Sequence, residues 1–148
     1  MATTKYTGYL ASAATHITLT ATLANGSADI SSALDNSSDL ALWEDLELVL
    51  TDFAAAPTAN AAFELYLLSS VDGTNYPDGA SGATPNVEPT CLVGLFPVRA
   101  ADAAQRLILR GVQLPPGLYK YLIINRCGQA LATGTHTLKG RRYGVQTV

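Results

Sequence analysis

The chain reads as an all-β protein, a single-domain antiparallel β-sandwich of the jelly-roll kind with about eight or nine strands. Three observations predict this. Apolar residues recur at alternate positions through most of the chain, the spacing that lays one strand face on a core and the other in water. The alternating runs are short and broken by turn formers such as Asn25-Gly26 and Pro115-Pro116-Gly117. The composition is 48% hydrophobic and only 14% charged, rich in Ala, Thr, Gly and Ser, which excludes disorder and leaves little material for long amphipathic helices. A length of 148 residues fits one domain spanning 1–148, and neither an internal repeat nor a boundary is visible.

Taken in order, residues 5–11 are a first strand, and residues 1–14 form either an N-terminal arm reaching a neighbour or an edge strand of the protein's own sheet. In residues 16–23, Ile17, Leu19, Ala21 and Leu23 share one face, with His16 and three threonines on the other. Leu46, Leu48 and Leu50 alternate with Glu47, Val49 and Thr51 in residues 46–51. Phe63, Leu65 and Leu67 alternate with Glu64, Tyr66 and Leu68 in residues 63–68. Residues 90–98 form a strand whose Pro97 points to an edge or a bulge. In residues 106–110, Leu107 and Leu109 lie opposite Arg106 and Arg110. Residues 118–125 are an apolar run with Tyr119, Tyr121 and Ile123 on one face, so both faces are expected to be covered. Residues 129–133 and 136–143 complete the set. Long loops fall at 29–43, with room for a helical turn at 31–34, and at 72–89. The expected single core contains Ile17, Leu19, Leu48, Leu50, Phe63, Leu65, Leu107, Leu109, Leu122 and Ile124.

Catalytic parts are scarce. His16 and His136 have no carboxylate or nucleophile beside them in sequence and read as surface histidines. Gly79-Ala-Ser-Gly82 lacks nucleophile-elbow spacing, and no phosphate loop, dinucleotide fingerprint or zinc pattern occurs. Asp72, Asn75 and Asp78 offer oxygens in one loop, but the alternate ligand spacing and closing Glu of a calcium loop are missing. Glu44, Asp45 and Glu47 read as a solvated acidic edge, because adjacent strand residues face opposite ways and cannot flank one glycosidic bond. Cys91 and Cys127 read as reduced, buried thiols. No cofactor and no metal are expected, and the chain is not expected to be an enzyme. No stretch approaches the roughly 20 apolar residues of a membrane helix. The first residues contain no apolar signal core, which implies synthesis in the cytoplasm without export.

Charge is the least ordinary feature. Residues 1–98 hold one cation, Lys5, against eleven carboxylates, a net −10; residues 99–148 hold eight cations against Asp102, a net +7. Part of this asymmetry is expected to close as cross-strand pairs, and the rest to form complementary patches that steer protein association. Arg106, Arg110, Lys139, Arg141 and Arg142 are the expected interface residues, with Arg141 and Arg142 foremost. Nucleic acid is the weaker partner, given a pI near 5.2 and few aromatics placed to stack on bases.

Two segments carry a family likeness. Phe63-Glu-Leu-Tyr-Leu-Leu-Ser-Ser-Val-Asp-Gly-Thr-Asn-Tyr76 resembles strand-and-turn segments of small structural proteins of tailed bacteriophages. Leu114-Pro-Pro-Gly-Leu-Tyr-Lys-Tyr-Leu-Ile-Ile-Asn125, continuing into Gly128-Gln-Ala, is similar to late strands of the same group; residues 1–60 carry no likeness. The resemblance implies a head decoration (cement) protein: a non-enzymatic virion component on the outer capsid surface. It would be bound to the major capsid protein lattice and to copies of itself, as a trimer at three-fold points. Val71-Asp-Gly-Thr-Asn-Tyr76 is also similar to β-sandwich modules of phage fibres and carbohydrate-binding domains. The alternative is therefore a receptor-binding module that reads a host glycan through Trp43, Tyr66 or Tyr76.

Overall fold

The computed structural model describes residues 4–79 and 85–147. It contains ten strand segments: β1 (Thr4–Tyr9), β2 (Ala14–Leu19), β3 (Ala28–Ile30), β4 (Leu34–Asp35), β5 (Trp43–Leu50), β6 (Ala62–Ser69), β7 (Leu92–Pro97), β8 (Gln105–Gln113), β9 (Leu118–Arg126) and β10 (His136–Thr147). The sole helical piece among the described residues is a 3-10 turn at Pro89–Cys91. No helix there is long and apolar enough to cross a membrane.

All ladders are antiparallel, and two sheets result. Sheet A runs β1-β10-β5-β8, with β2 also on β10. Sheet B runs β3-β9-β6-β7, with β4 also on β9. β1 and β2 lie end to end along one edge of β10, and β3 and β4 do the same along β9. Each pair thus acts as a single interrupted edge strand. Counted so, eight strand positions remain, ordered 1-8-3-6 and 2-7-4-5. That is one long hairpin, tip at the β6–β7 connection, wrapped into two facing sheets: a jelly roll. Residues 4–9 therefore form an edge strand of the protein's own sheet.

Between the sheets lies the main core. Ile17, Leu19, Leu46, Leu48, Leu50, Phe63, Leu65, Phe96, Tyr119, Tyr121, Ile123 and Leu138 are buried there, with Leu107 and Leu109 packed against it. The expected single core is corrected at Leu122 and Ile124. These face the other side of β9 and join Ala28, Tyr66 and Leu68 in a second cluster, roofed by Tyr76, Val87 and Cys91 of the β6–β7 connection. Sheet B is thus covered on both faces along β9 and the adjoining part of β6, which explains the near-continuous burial along β9. The roof sits close: a Cβ at Gly79 would meet Leu68 Cδ1 at 2.7 Å.

Three further expectations are corrected. Residues 129–133 are not a strand but a single bridge, Phe53 to Leu131. Residues 31–34 form no helical turn; they lead from β3 into β4. Finally, β5 is no acidic edge, because it lies between β10 and β8 in the middle of sheet A.

Candidate interaction surface

The outer face of sheet A has no covering layer among the described residues, and the period of two decides what it presents. Along β5, Glu44, Leu46, Leu48 and Leu50 point inward while Trp43, Asp45, Glu47 and Val49 point out. Register then assembles rows. Glu47 lies between Lys139 and Ile108, Asp45 lies opposite Arg141, and Trp43 lies between Tyr143 and Gln113, with Tyr9 beyond Tyr143.

Four of the five expected interface residues belong to this face. Arg106 pairs with Glu47 at 3.0 Å and Arg110 with Asp45 at 3.5 Å. Arg141 stacks 3.9 Å over the Tyr9 ring, and its Nε donates to the Ala11 carbonyl. Lys139 lines the groove between Glu47 and Arg141. Among the described residues neither Lys139 nor Arg141 forms an ion pair, so the strip along β10 has cationic capacity to spare. Asp45 is held on two sides. The Gly111 backbone N–H donates to it at 3.0 Å and the Tyr9 hydroxyl at 2.9 Å. Gly111 can do this because it sits in a bulge of β8 with φ +69°, a left-handed conformation that suits glycine.

The aromatic part of the face is a trio that the sequence reading did not bring together. Trp43 stacks on Tyr143 at 5.7 Å, and Tyr9 meets Tyr143 edge-on at 5.8 Å. Two shallow hollows of about 210 and 160 Å³ share Tyr9 and Asp45 as lining, and Ile108 beside them is 56% exposed. Tyr143 is in phase with Lys139 and Arg141, which was the available signal. Tyr66 and Tyr76, grouped with Trp43 for the glycan alternative, lie on sheet B instead. Tyr66 is buried beneath the roof, and Tyr76 packs under Lys120.

Arg142 departs from the other four. It faces inward beside Glu44, and its side chain is only 15% exposed. Glu44, read as solvated, is fully buried: Tyr121 Oη donates to Oε2 at 2.8 Å, Tyr119 Oη lies at 3.4 Å, and His16 Nε2 meets Oε1 at 2.8 Å. Arg142 Nε stands 4.0 Å from Oε1, while its Nη1 reaches the Asp35 carbonyl and Asp39. Burial, and then the Glu44 charge, push both tyrosines well above the ordinary phenol value. A cleft of about 300 Å³ opens over this cluster between the β1–β2 break and the loop after β4.

His16 is therefore not a surface histidine. Leu138 pairs with Ile17 and Lys139 with Thr15, so His16 is the extra residue of a bulge and turns inward. His136 is buried as well: its Nδ1 accepts the Thr51 backbone N–H at 3.1 Å, and Nε2 donates to the Ala132 carbonyl at 2.9 Å. That ring pins a loop and has no nitrogen left for chemistry. Both cysteines are free; Cys127 is buried as expected, with its thiol pushed up to about 12, whereas Cys91, expected to be buried, is only partly so as part of the sheet B roof. Asp72 Oδ1 accepts the Thr74 and Asn75 backbone N–H groups, and Oδ2 accepts the Asn75 side chain. These bonds hold its carboxyl well below the usual range. Among the described residues no group of three metal-ligating side chains occurs.

No protein-family model matches the chain, and no curated protein is significantly similar to it.

Proposed function

We propose that this chain is a non-enzymatic virion structural protein, a decoration protein that docks through the outer face of sheet A onto the capsid lattice of a tailed phage. The observation that carries the docking part is the make-up of that face. Trp43, Tyr9 and Tyr143 sit at one end of it, with Arg141 stacked on Tyr9 and Arg110 on Asp45, while exposed Ile108 and Arg106 lie further along the same face. Aromatic residues with arginine are what protein interfaces concentrate. Lys139 and Arg141 form no ion pair among the described residues, and the face sets four cations, Arg106, Arg110, Lys139 and Arg141, against Asp45 and Glu47, so the complementary partner is an acidic protein surface. The phage and capsid part rests on the two resembling segments, 63–76 and 114–130. The cluster around Glu44 reads as structural, since its carboxylate is occupied by Tyr121, Tyr119 and His16 and lies out of solvent.

The test follows uptake of purified protein onto undecorated shells over time at two salt concentrations. Rim charges govern association rate more than final affinity. K139E/R141E should therefore dock several-fold more slowly than wild type at low salt, with the gap narrowing near 1 M, where the Debye length is about 3 Å. Equal uptake at low salt would refute docking by this face. No uptake by any shell, together with saturable glycan binding lost in Trp43→Ala, would favour the receptor-binding alternative.

A further inference from the structure

We propose that β7 is a self-association edge, through which two copies of this chain pair antiparallel about a two-fold axis. β7 is the last strand of sheet B, with β6 on one side only. Its sequence, Leu-Val-Gly-Leu-Phe-Pro, carries no charge, and Leu92, Val93 and Leu95 are 44%, 38% and 48% exposed. An uncharged apolar edge is what natural sheets avoid leaving bare, because its unpaired N–H and C=O groups template another strand. The register makes the edge more apolar still. Leu95 pairs with Glu64 and Leu92 with Tyr66, with a bulge between, so both leucines lie on the outer face of sheet B although they are three residues apart.

Charge picks the occupant and the direction. Glu88 precedes β7 and Arg99 follows it; both are exposed, and neither forms an ion pair among the described residues. An antiparallel pair centred between Val93 and Gly94 sets Leu92 against the partner's Leu95 and brings Glu88 to the end where the partner's Arg99 lies. Each contact is repeated by the symmetry, as an isologous interface requires. Parallel pairing would place like charges together at both ends. The inference goes beyond the proposed docking function and predicts a dimer in place of the trimer that the family resemblance implies. It uses a different surface from the docking face, so either can fail alone. A six-residue edge sits at the small end of specific interfaces, so the dimer should be concentration-dependent.

Sedimentation velocity on the full chain over a concentration series tests it. Wild type should shift from monomer to dimer, and L92K/L95K should stay monomeric at every concentration. Ile108→Lys, equally apolar and exposed but on sheet A, should dimerise as wild type does. Should L92K/L95K fail to fold, the charge pair decides: Glu88→Arg should weaken the dimer at least several-fold, and E88R/R99E should restore it. A wild type that stays monomeric, a trimer, a dimer that survives L92K/L95K, or a charge swap without rescue would overturn the proposal.

Discussion

His16 illustrates how one extra residue redirects a side chain. Alternation with Ile17 and Leu19 placed it on the wet face, and nothing in the local pattern marks the bulge that turns it toward Glu44. Glu44 itself was half legible: adjacent strand residues do face opposite ways, but which of Glu44 and Asp45 turns inward depends on the neighbouring ladders. Truncating Glu44 tests how much that network matters. Glu44→Ala leaves His16, Tyr119 and Tyr121 without their common partner and largely buried Arg142 without the buried carboxylate beside it. It should cost about 3–5 kcal/mol in urea unfolding, comparable with the about 2–5 kcal/mol expected for Leu48→Ala in the apolar core. A loss under 1 kcal/mol would mean that the cluster is dispensable. The tyrosines of this site, together with Cys127 beyond the other end of β9, set a limit at high pH. Tyr119 and Tyr121 are raised above their ordinary 10.0, and Cys127 is raised from 9.0 to about 12. A group whose folded pKa is raised contributes fully below its unfolded value and loses that contribution as pH climbs toward the folded one. The urea midpoint should thus hold from pH 7 to about 9, then fall as the thiol window opens and more steeply above 10 as the phenols follow. A midpoint indifferent to pH between 9 and 12 would contradict the buried placement of these three groups.

Among the elements, the strands with sustained alternation were legible: β6 emerged close to its observed bounds, whereas β5 was missed at residues 43–45 and β8 at residues 111–113, the ends that meet across the bulge. β9 was legible in a different way, since apolar residues on both faces implied two coverings, and the β6–β7 connection supplies the second. That Leu122 and Ile124 belong to this outer cluster was not foreseen, because a run without alternation does not say which face meets which layer. β3 and β4, three and two residues long, are too short for any period to register. They exist because β9 offers an edge, which is a tertiary cause. Residues 129–133 had the opposite fate: expected as a strand, they form one isolated bridge, Leu131 opposite Phe53. Gly111 makes the element scale testable. A Cβ there meets nothing closer than Tyr143 Oη at 3.4 Å, so the cost of Gly111→Ala is that of the left-handed backbone alone. That is about 1–2 kcal/mol, read as a lower urea midpoint at unchanged slope. A neutral substitution would show that the β8 bulge can relax, and the Asp45 anchor on the docking face with it.

At the scale of the whole molecule, the segregation of charge along the chain and the jelly-roll topology are one fact seen twice. Among the described residues, every ladder joins a strand from β1–β6 to a strand from β7–β10, and no two strands from the same half pair with each other. β7 lies within the acidic residues 1–98 but carries no charge; elsewhere the acidic strands are laid against the basic ones: Arg106 on Glu47, Arg110 on Asp45, Arg126 on Glu64, Arg142 on Asp39 and Glu44. Each exposed pair contributes only about 0–1 kcal/mol, so their value lies in register and encounter more than in stability. Dividing the chain within the β6–β7 connection isolates that effect. Cut after Val71, which is fully exposed, the fragments carry net charges of −7 and +4. Neither contains two strands that pair, so each alone should give the circular dichroism of an unfolded chain. Mixed, they should recover the strand spectrum. Opposite net charge steers such encounters and salt screens them, so the second-order rate of recovery should fall at least several-fold from low salt to near 1 M. The final amplitude should change little, because the burial of Leu48, Phe63, Tyr121 and their neighbours is not screened. Independent folding of either fragment would contradict the pairing scheme. A recovery rate indifferent to salt would detach the charge asymmetry from assembly of the fold and leave it to the molecule's partners.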